Sequence, residues 1–330
     1  MTDLPDSSMP FTPPLGLRNR HIQNIASSVG LRKWLVNQQT RELQKDSQPV
    51  ILQGENNARL QGFYNPQDKA DSLVIFLHGW EGSSDSSYIL SGAKTLFDQG
   101  HAVFRLNFRD HGDTHHLNRE LFNSTRLSDI TGAIADLQQK YPHKHYYLAG
   151  FSLGGNFALR TTIAQTEHAY RIDRTVAICP VICPHDTMNN LSSGFPLYEK
   201  YFVRKWKQSL LKKTKHFPEY DYIDRLKQVS NLKEMNEFFI PVYTPFNDCE
   251  TYFDAYHLRE ERLGKLTTPT TIITSEDDPI VRVNMVPRTP LSDHLHVEVT
   301  RYGSHCAFLK NFKMQSWIDD RLVSLFQPKK

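Results

Sequence analysis

Apolar residues along this chain follow two rhythms, and the change between them divides it. Leu73-Val74-Ile75-Phe76-Leu77 is an unbroken apolar run, as expected of a strand buried on both faces. Val103-Phe104-Arg105-Leu106, His145-Tyr146-Tyr147-Leu148-Ala149 and Thr175-Val176-Ala177-Ile178 read as further strands. A helix is predicted near Ser128 to Gln139, and another runs on from Gly155. Alternation of strand and helix from about residue 50 to 180 predicts a mostly parallel sheet with helices on both faces. From about 185 to 263 the segment is rich in Lys, Phe, Tyr and Leu and takes a helical period. Strand character returns in Thr270-Thr271-Ile272-Ile273-Thr274, a β-branched run, and in the alternating His296-Val297-Glu298-Val299-Thr300. Residues 1–48 read as an N-terminal arm, polar and proline-bearing at first, then amphipathic from about Ile22 to Leu43. The expected organisation is this arm, 1–48, packed on one domain, 49–330, with a helical insertion at about 185–263.

Candidate chemistry lies at the C-terminal ends of those strands. Gly150-Phe151-Ser152-Leu153-Gly154-Gly155 joins the strand at 145–149 to the helix after it. A serine in a G-x-S-x-G turn at such a junction is the nucleophile elbow of an α/β-hydrolase, where a strained turn lifts the hydroxyl above the sheet. A serine hydroxyl needs a neutral imidazole to take its proton, and that imidazole needs a carboxylate to set its tautomer. In this fold the partners follow in the order Ser, Asp, His. The strand at 270–274 ends in Glu276-Asp277-Asp278-Pro279, and the strand at 296–300 runs into Gly303-Ser304-His305-Cys306. Ser152, Asp278 and His305 are the expected triad. Asp278 directly precedes the proline, and Asp277 beside it is the alternative. The run at 73–77 opens into His78-Gly79-Trp80-Glu81-Gly82-Ser83, matching the loop that donates one oxyanion N–H. The two expected donors are the backbone amides of Trp80 and Leu153, and His78 is expected to brace the loop. In this fold the helical stretch at 185–263 occupies the position of a cap that excludes water and shapes an acyl pocket.

Several segments outside these motifs resemble the YheT-like, embryogenesis-associated branch of the α/β-hydrolase superfamily. Asn19-Arg20-His21-Ile22-Gln23-Asn24 is similar to its N-x-H-L-Q-T signature, with Asn24 in place of Thr. His78 to Ser83 resembles its H-G-L-x-G-S loop, with Trp80 in place of Leu. Asn107-Phe108-Arg109 and Gly112 resemble its N-x-R-G segment, with Asp110 where glycine is usual. Gly150 to Asn156 and Asp277-Asp278-Pro279 match unchanged. The resemblance spans about residues 10–325. It implies carboxylester hydrolysis of short- to medium-chain acyl esters. Some members of the branch cut phospholipids and some transfer acyl groups to alcohols.

Composition narrows the alternatives. The 330 residues, 39% hydrophobic and 23% charged, are ordinary for a globular protein. No apolar run approaches the roughly 20 residues needed to span a membrane. Met1 to Asp6 lacks the basic start and apolar region of a secretory signal. The four cysteines, Cys179, Cys183, Cys249 and Cys306, show no metal-ligand spacing and suggest free thiols in a cytoplasmic enzyme. No cofactor and no metal are expected. His111, Asp113, His115 and His116 could ligate a metal but read better as a polar surface loop. Net charge is a modest +3 and no recognition motif is present, which argues against nucleic acid. Seven basic residues, Lys200, Arg204, Lys205, Lys207, Lys212, Lys213 and Lys215, interleave with apolar ones in the insertion. They leave open a peripheral contact between the cap and anionic lipid, against a solvated face. The expected function is a serine carboxylesterase working through an acyl-enzyme on a small acyl ester. An alcohol acyltransferase or a lipase could use the same triad. A non-catalytic binding protein fits poorly with an intact set of three.

Overall fold

The structure is a computed structural model and describes residues 11–287 and 291–327. The start of the expected arm, including Met1 to Asp6, lies outside the described residues. Eight strands form one sheet in the order β1-β2-β4-β3-β5-β6-β7-β8. They are β1 (Gln48–Gln53), β2 (Arg59–Asn65), β3 (Ser72–Leu77), β4 (Ala102–Leu106), β5 (His145–Phe151), β6 (Arg174–Ile178), β7 (Thr270–Ser275) and β8 (Leu295–Thr300). β1–β2 and β2–β4 pair antiparallel, and every later pairing is parallel. The fold is that of the α/β-hydrolases, as the sequence predicts.

Period-two alternation decides which side chains enter which layer. Leu73, Ile75 and Leu77 of β3 pack on one face of the sheet with Phe104 of β4 and Leu148 of β5. The helices Leu127–Lys140 and Leu153–Ala164 cover that face through Ile130, Ile134, Leu137 and Phe157. Val74 and Phe76 point the other way, toward Ile89 and Leu96 of the helix Ser87–Asp98 and Leu322 of the helix Trp317–Phe326. Both faces of the central strands are therefore buried, which is why they read as unbroken apolar runs.

The arm forms helices at Arg20–Ser28, Leu31–Gln39 and Arg41–Lys45. Asn19 caps the first, its side-chain oxygen accepting from the amides of His21 and Ile22. Between β6 and β7 the chain is helical, with helices at Pro184–Ser193, Pro196–His216, Ile223–Gln228, Leu232–Tyr243, Cys249–Ala255 and Glu260–Leu263. This insertion carries an apolar cluster of its own, including Tyr222, Leu232, Met235 and Phe239, which meets Ile280 and Val281 beyond β7. No helix among the described residues is long and apolar enough to cross a membrane.

The 21-residue helix Pro196–His216 is docked on the core by a buried ion pair. Lys213 Nζ lies 2.7 Å from Asp110 Oδ1, with the two side chains 1% and 5% exposed. The other carboxylate oxygen accepts from the amide of Phe122. Asp110 has φ 59°, the left-handed region that glycine tolerates best. Aspartate is among the few other residues that visit it. Glycine is the usual residue here in the resembling branch, and the aspartate keeps the backbone conformation while adding an anchor for the insertion. Burial raises the pKa of Asp110 and lowers that of Lys213, each against the pull of its partner. Desolvation thus offsets much of the attraction, and the pair matters chiefly because neither charge tolerates being left alone. The basic cluster is accordingly not one face. Lys213 is buried and Lys207 donates to the carbonyl of Val229, while Lys200, Arg204, Lys212 and Lys215 are exposed.

Lys213→Met should cost about 3–5 kcal/mol in denaturant unfolding, because Asp110 then keeps an unpaired buried charge. Adding Asp110→Asn should recover most of that loss. A single-variant cost near zero would show that the pair does not anchor the helix.

Candidate active site

The strand-to-helix crossing after β5 is built from absent side chains. A Cβ on Gly150 would stand 2.2 Å from the carbonyl oxygen of Gly154. One on Gly154 would stand 2.3 Å from that of Leu77, at the end of β3. Both obstacles are backbone and cannot swing away. Ser152, between them, has φ 55° and ψ −118°, a strained conformation for a non-glycine residue. Its amide donates to the Ile178 carbonyl at 2.8 Å, which fixes the turn against the end of β6.

Ser152, Asp278 and His305, drawn from the ends of three strands, converge here. Ser152 Oγ lies 2.8 Å from His305 Nε2, and His305 Nδ1 lies 2.8 Å from Asp278 Oδ2. The remaining Asp278 oxygen accepts from the amides of Ile280 and Val281. That carboxylate is fully engaged and aimed at the imidazole. Burial lowers the pKa of His305, but the charges of Asp278 and Cys306 and the hydrogen bond to Asp278 outweigh it and carry the value up to about 9. Asp277, the alternative acid, turns elsewhere. Its Oδ1 accepts from the amide of Ser304 at 2.8 Å, and burial raises its pKa. It holds the loop that carries the histidine.

Gly79 brings the loop after β3 against the elbow, so that a Cβ there would stand 3.3 Å from Ser152 Cβ. His78 is fully buried. Its Nδ1 is 2.7 Å from the Gly79 carbonyl and its Nε2 accepts from the Phe108 amide. Burial pushes its pKa well below the ordinary value, so it braces the loop as a neutral ring. Trp80 lines a cavity of about 750 Å3 together with Ser152 and His305. Its amide has no acceptor among the described residues. Leu153 opens the helix after Ser152, so its amide has no intrahelical acceptor, while its side chain packs in the core.

The Trp80 indole stacks on Phe202 at 5.1 Å and meets Trp206 edge-on at 5.4 Å. Both belong to the docked helix Pro196–His216, so the tryptophan that replaces leucine joins the insertion to the site. Glu81 puts a carboxyl into the same cavity. Burial pushes its pKa up to about 8, against the pull of Lys205. The histidines after β4 correct an expectation. His111 and His115 are buried rather than part of a surface loop, His111 against the rings of His78, Phe108 and Phe122 and His115 against Ser209 of Pro196–His216. His111 Nε2 accepts from the Glu81 amide, His115 Nε2 lies 2.9 Å from Ser209 Oγ, and Asp113 pairs with Lys212. Their donor atoms serve separate partners and do not converge.

Sequence reasoning missed the part that the arm plays. The loop carrying His305 has four positive φ angles, at Gly303, Ser304, Cys306 and Phe308, and the arm grips it from outside. Ser304 Oγ donates to the Arg20 carbonyl at 2.7 Å, and the Leu309 amide donates to Gln23 Oε1 at 3.3 Å. Arg32 donates to the Ala307 carbonyl at 3.3 Å. His21 Nδ1 lies 3.0 Å from the Tyr198 hydroxyl, tying the same arm to the insertion. The signal available was the Asn19-to-Gln23 signature, whose buried glutamine donates to the Leu17 carbonyl and has its oxygen left for the Leu309 amide.

Comparison with known proteins shows the family of the chain. Residues 68–300 match the family model described as "Serine aminopeptidase, S33" (Hydrolase_4). The chain is 24% identical to the YheT protein of Escherichia coli strain K12 over 325 residues, covering 96% of this chain and 92% of that one. It is 24% identical to a monoacylglycerol lipase of Saccharomyces cerevisiae over 308 residues, covering 86% and 66%. The Pyrococcus furiosus esterase Pf2001 superposes with a TM-score of 0.58 at 17% identity, covering 96% of each chain, and shares the fold. The chain belongs to the serine aminopeptidase S33 family, as a YheT-like member of the α/β-hydrolase superfamily, and it is a hydrolase.

Proposed function

We propose that this protein is a serine carboxylesterase that hydrolyses short- to medium-chain acyl esters through an acyl-enzyme. The observation that carries this reading is the unbroken chain of hydrogen bonds from Asp278 through His305 to Ser152 at the cavity. Ser152 Oγ attacks the ester carbonyl carbon while His305 Nε2 takes its proton. The carbonyl oxygen becomes an oxyanion, which the amides of Trp80 and Leu153 receive in this reading. Collapse of the tetrahedral intermediate breaks the bond to the alcohol, which leaves with the proton from His305. Water, deprotonated by the same imidazole, then attacks the acyl group and frees Ser152. Asp278 keeps its charge throughout, holds Nδ1 protonated and stabilises the imidazolium. The Trp80 and Phe202 rings give the acyl chain an apolar wall, with Trp206 packed edge-on against Trp80. The esterase and lipase names of the similar proteins support an ester substrate. An alcohol in place of water in the second step would make the same site an acyltransferase, and product analysis with added alcohol separates the two.

Ser152→Ala should abolish labelling by a fluorophosphonate probe and reduce kcat on p-nitrophenyl esters by at least about a thousandfold. A chain-length series of those esters on the native enzyme should peak at short or medium acyl groups. Retained labelling in the variant would place the nucleophile elsewhere.

The pH profile tests the imidazole. Only neutral His305 can accept the proton, and its pKa is raised, so the competent fraction grows as pH rises toward about 9. The inflection in kcat/KM should therefore lie above the ordinary histidine value of 6.5. Asp278→Asn removes the larger of the two charges that raise the pKa and leaves the burial that lowers it. The inflection should move down, while kcat falls by about 10⁴. Asp277→Asn should leave the inflection in place. A profile that ignores Asp278 and follows Asp277 would overturn the assignment of the acid.

A further inference from the structure

Three side chains that could bind a soft cation meet beneath the elbow. Cys179 follows β6 and Cys306 follows His305, 127 residues later in the chain. Among the described residues, Cys179, His305 and Cys306 form a group whose ligand atoms, two sulfurs and a ring nitrogen, lie within 4.8 Å of one another. The backbone holds both cysteines in unusual conformations, with φ 44° at Cys179 and 61° at Cys306. Cysteine gains nothing in that region, so the surrounding fold imposes the arrangement. The Cys306 amide donates to Cys179 Sγ at 3.4 Å, and Cys179 Sγ approaches the Ser304 carbonyl at 3.7 Å. Cys179 is buried, while Cys306 lines the cavity, so a small ion has a route in from solvent. The reaction proposed above uses neither thiol.

We propose that Cys179, Cys306 and His305 form an inhibitory binding site for a soft divalent cation, Zn²⁺ or Cd²⁺. Tetrahedral zinc takes thiolate at about 2.3 Å and imidazole at about 2.0–2.1 Å, which sets its ligand atoms roughly 3.5–3.8 Å apart. The three donors need shifts of about 1 Å or less to reach that spacing. Binding releases to solvent whatever protons the two thiols carry and, where His305 is an imidazolium, the proton of the nitrogen that binds. Two thiolates then balance the ion's charge, which suits a buried position, and a water or Ser152 Oγ can fill the fourth place. Inhibition does not depend on which ring nitrogen binds. The metal would displace Ser152 from Nε2 or Asp278 from Nδ1, and either loss breaks the proton relay. This last step rests on the role proposed for His305; the metal site itself does not. Sequence spacing could not reveal the site, because the cysteines come together only when β6 and the loop after β8 lie side by side.

The test is a titration of the full chain with Cd²⁺ under a non-thiol reductant. It follows the ultraviolet charge-transfer band of cadmium bound to thiolate, and ester hydrolysis in parallel. One cadmium per chain should saturate the band, activity should fall at least about tenfold, and EDTA should restore it. Cys306→Ala and Cys179→Ala should each weaken the band. Each should also raise the inhibitory concentration at least about tenfold relative to its own uninhibited rate. Cys306 is only partly buried, so its variant tests the site even if the Cys179 variant fails to fold. Ser152→Ala should keep the band. Absence of the band in the native chain, or inhibition of both cysteine variants at the same concentration as the native chain, would overturn the site. A full band with undiminished hydrolysis would overturn His305 as a ligand and the inhibitory site with it, whereas a native chain without any ester hydrolysis would overturn the proposed function and leave the band to test the metal site.

Discussion

The arrangement around Ser152 depends on a steric constraint, the crossing of backbone at Gly150 and Gly154. No side chain fits at either position, because the facing atoms are carbonyl oxygens of the same turn and of the end of β3. That contact locks the exits of two neighbouring strands together. It forces Ser152 into left-handed backbone, a strain of about 1–3 kcal/mol that the packed sheet sustains. It also sets the loop at Gly79 beside the serine, so the amide of Trp80 and the hydroxyl of Ser152 are placed by one piece of geometry. The floor of the site is rigid for this reason. The histidine loop, the arm and the insertion are added to it from further along the chain.

Most of the floor could be read from the residues. The strands at 73–77, 145–149 and 270–274 announced themselves because burial on both faces leaves an unbroken apolar or β-branched run. The observed strands extend them by a residue or two at most. Ser152 and Asp278 could be named because each lies a few residues past such a run, and His305 because it lies past the alternating strand at 296–300. The antiparallel pair β1 and β2 was harder to see. Gln48, Pro49, Gln53 and Asn65 dilute the alternation in strands that lie at the edge of the sheet. Burial of His115 was also illegible, since it depends on Ser209, 94 residues later in the chain. The same reason hid Lys213, whose position in a run of lysines gives no sign that it alone points inward to Asp110.

Two departures from the resembling branch, Trp80 and Asp110, lie far apart in sequence yet touch the same helix. Trp80 meets Phe202 and Trp206 through stacked and edge-on rings, and Asp110 meets Lys213 through charge. One contact is apolar and forgiving in geometry. The other is buried, directional and intolerant of a missing partner. Together they fix Pro196–His216 in position and rotation over Ser152. Changes at 80 and 110 are therefore best understood as matched to the insertion rather than to the catalytic groups, which they leave untouched.

The bonds from Arg20 and Gln23 to Ser304 and Leu309 span 284 and 286 residues. During synthesis the arm emerges long before the histidine loop. Its bonds to Ser304, Ala307 and Leu309 cannot form until that loop is made, although Gln23 already reaches the Leu17 carbonyl, and the loop with its four positive-φ residues has no outer support until it meets the arm. Closure over so long a separation is slow by comparison with local pairing. A ribosome-bound or prematurely terminated chain ending before about residue 300 lacks His305 and leaves Ser152 without its hydrogen-bond partner. This architecture therefore ties the Ser152–His305 contact to synthesis of the loop that the arm grips.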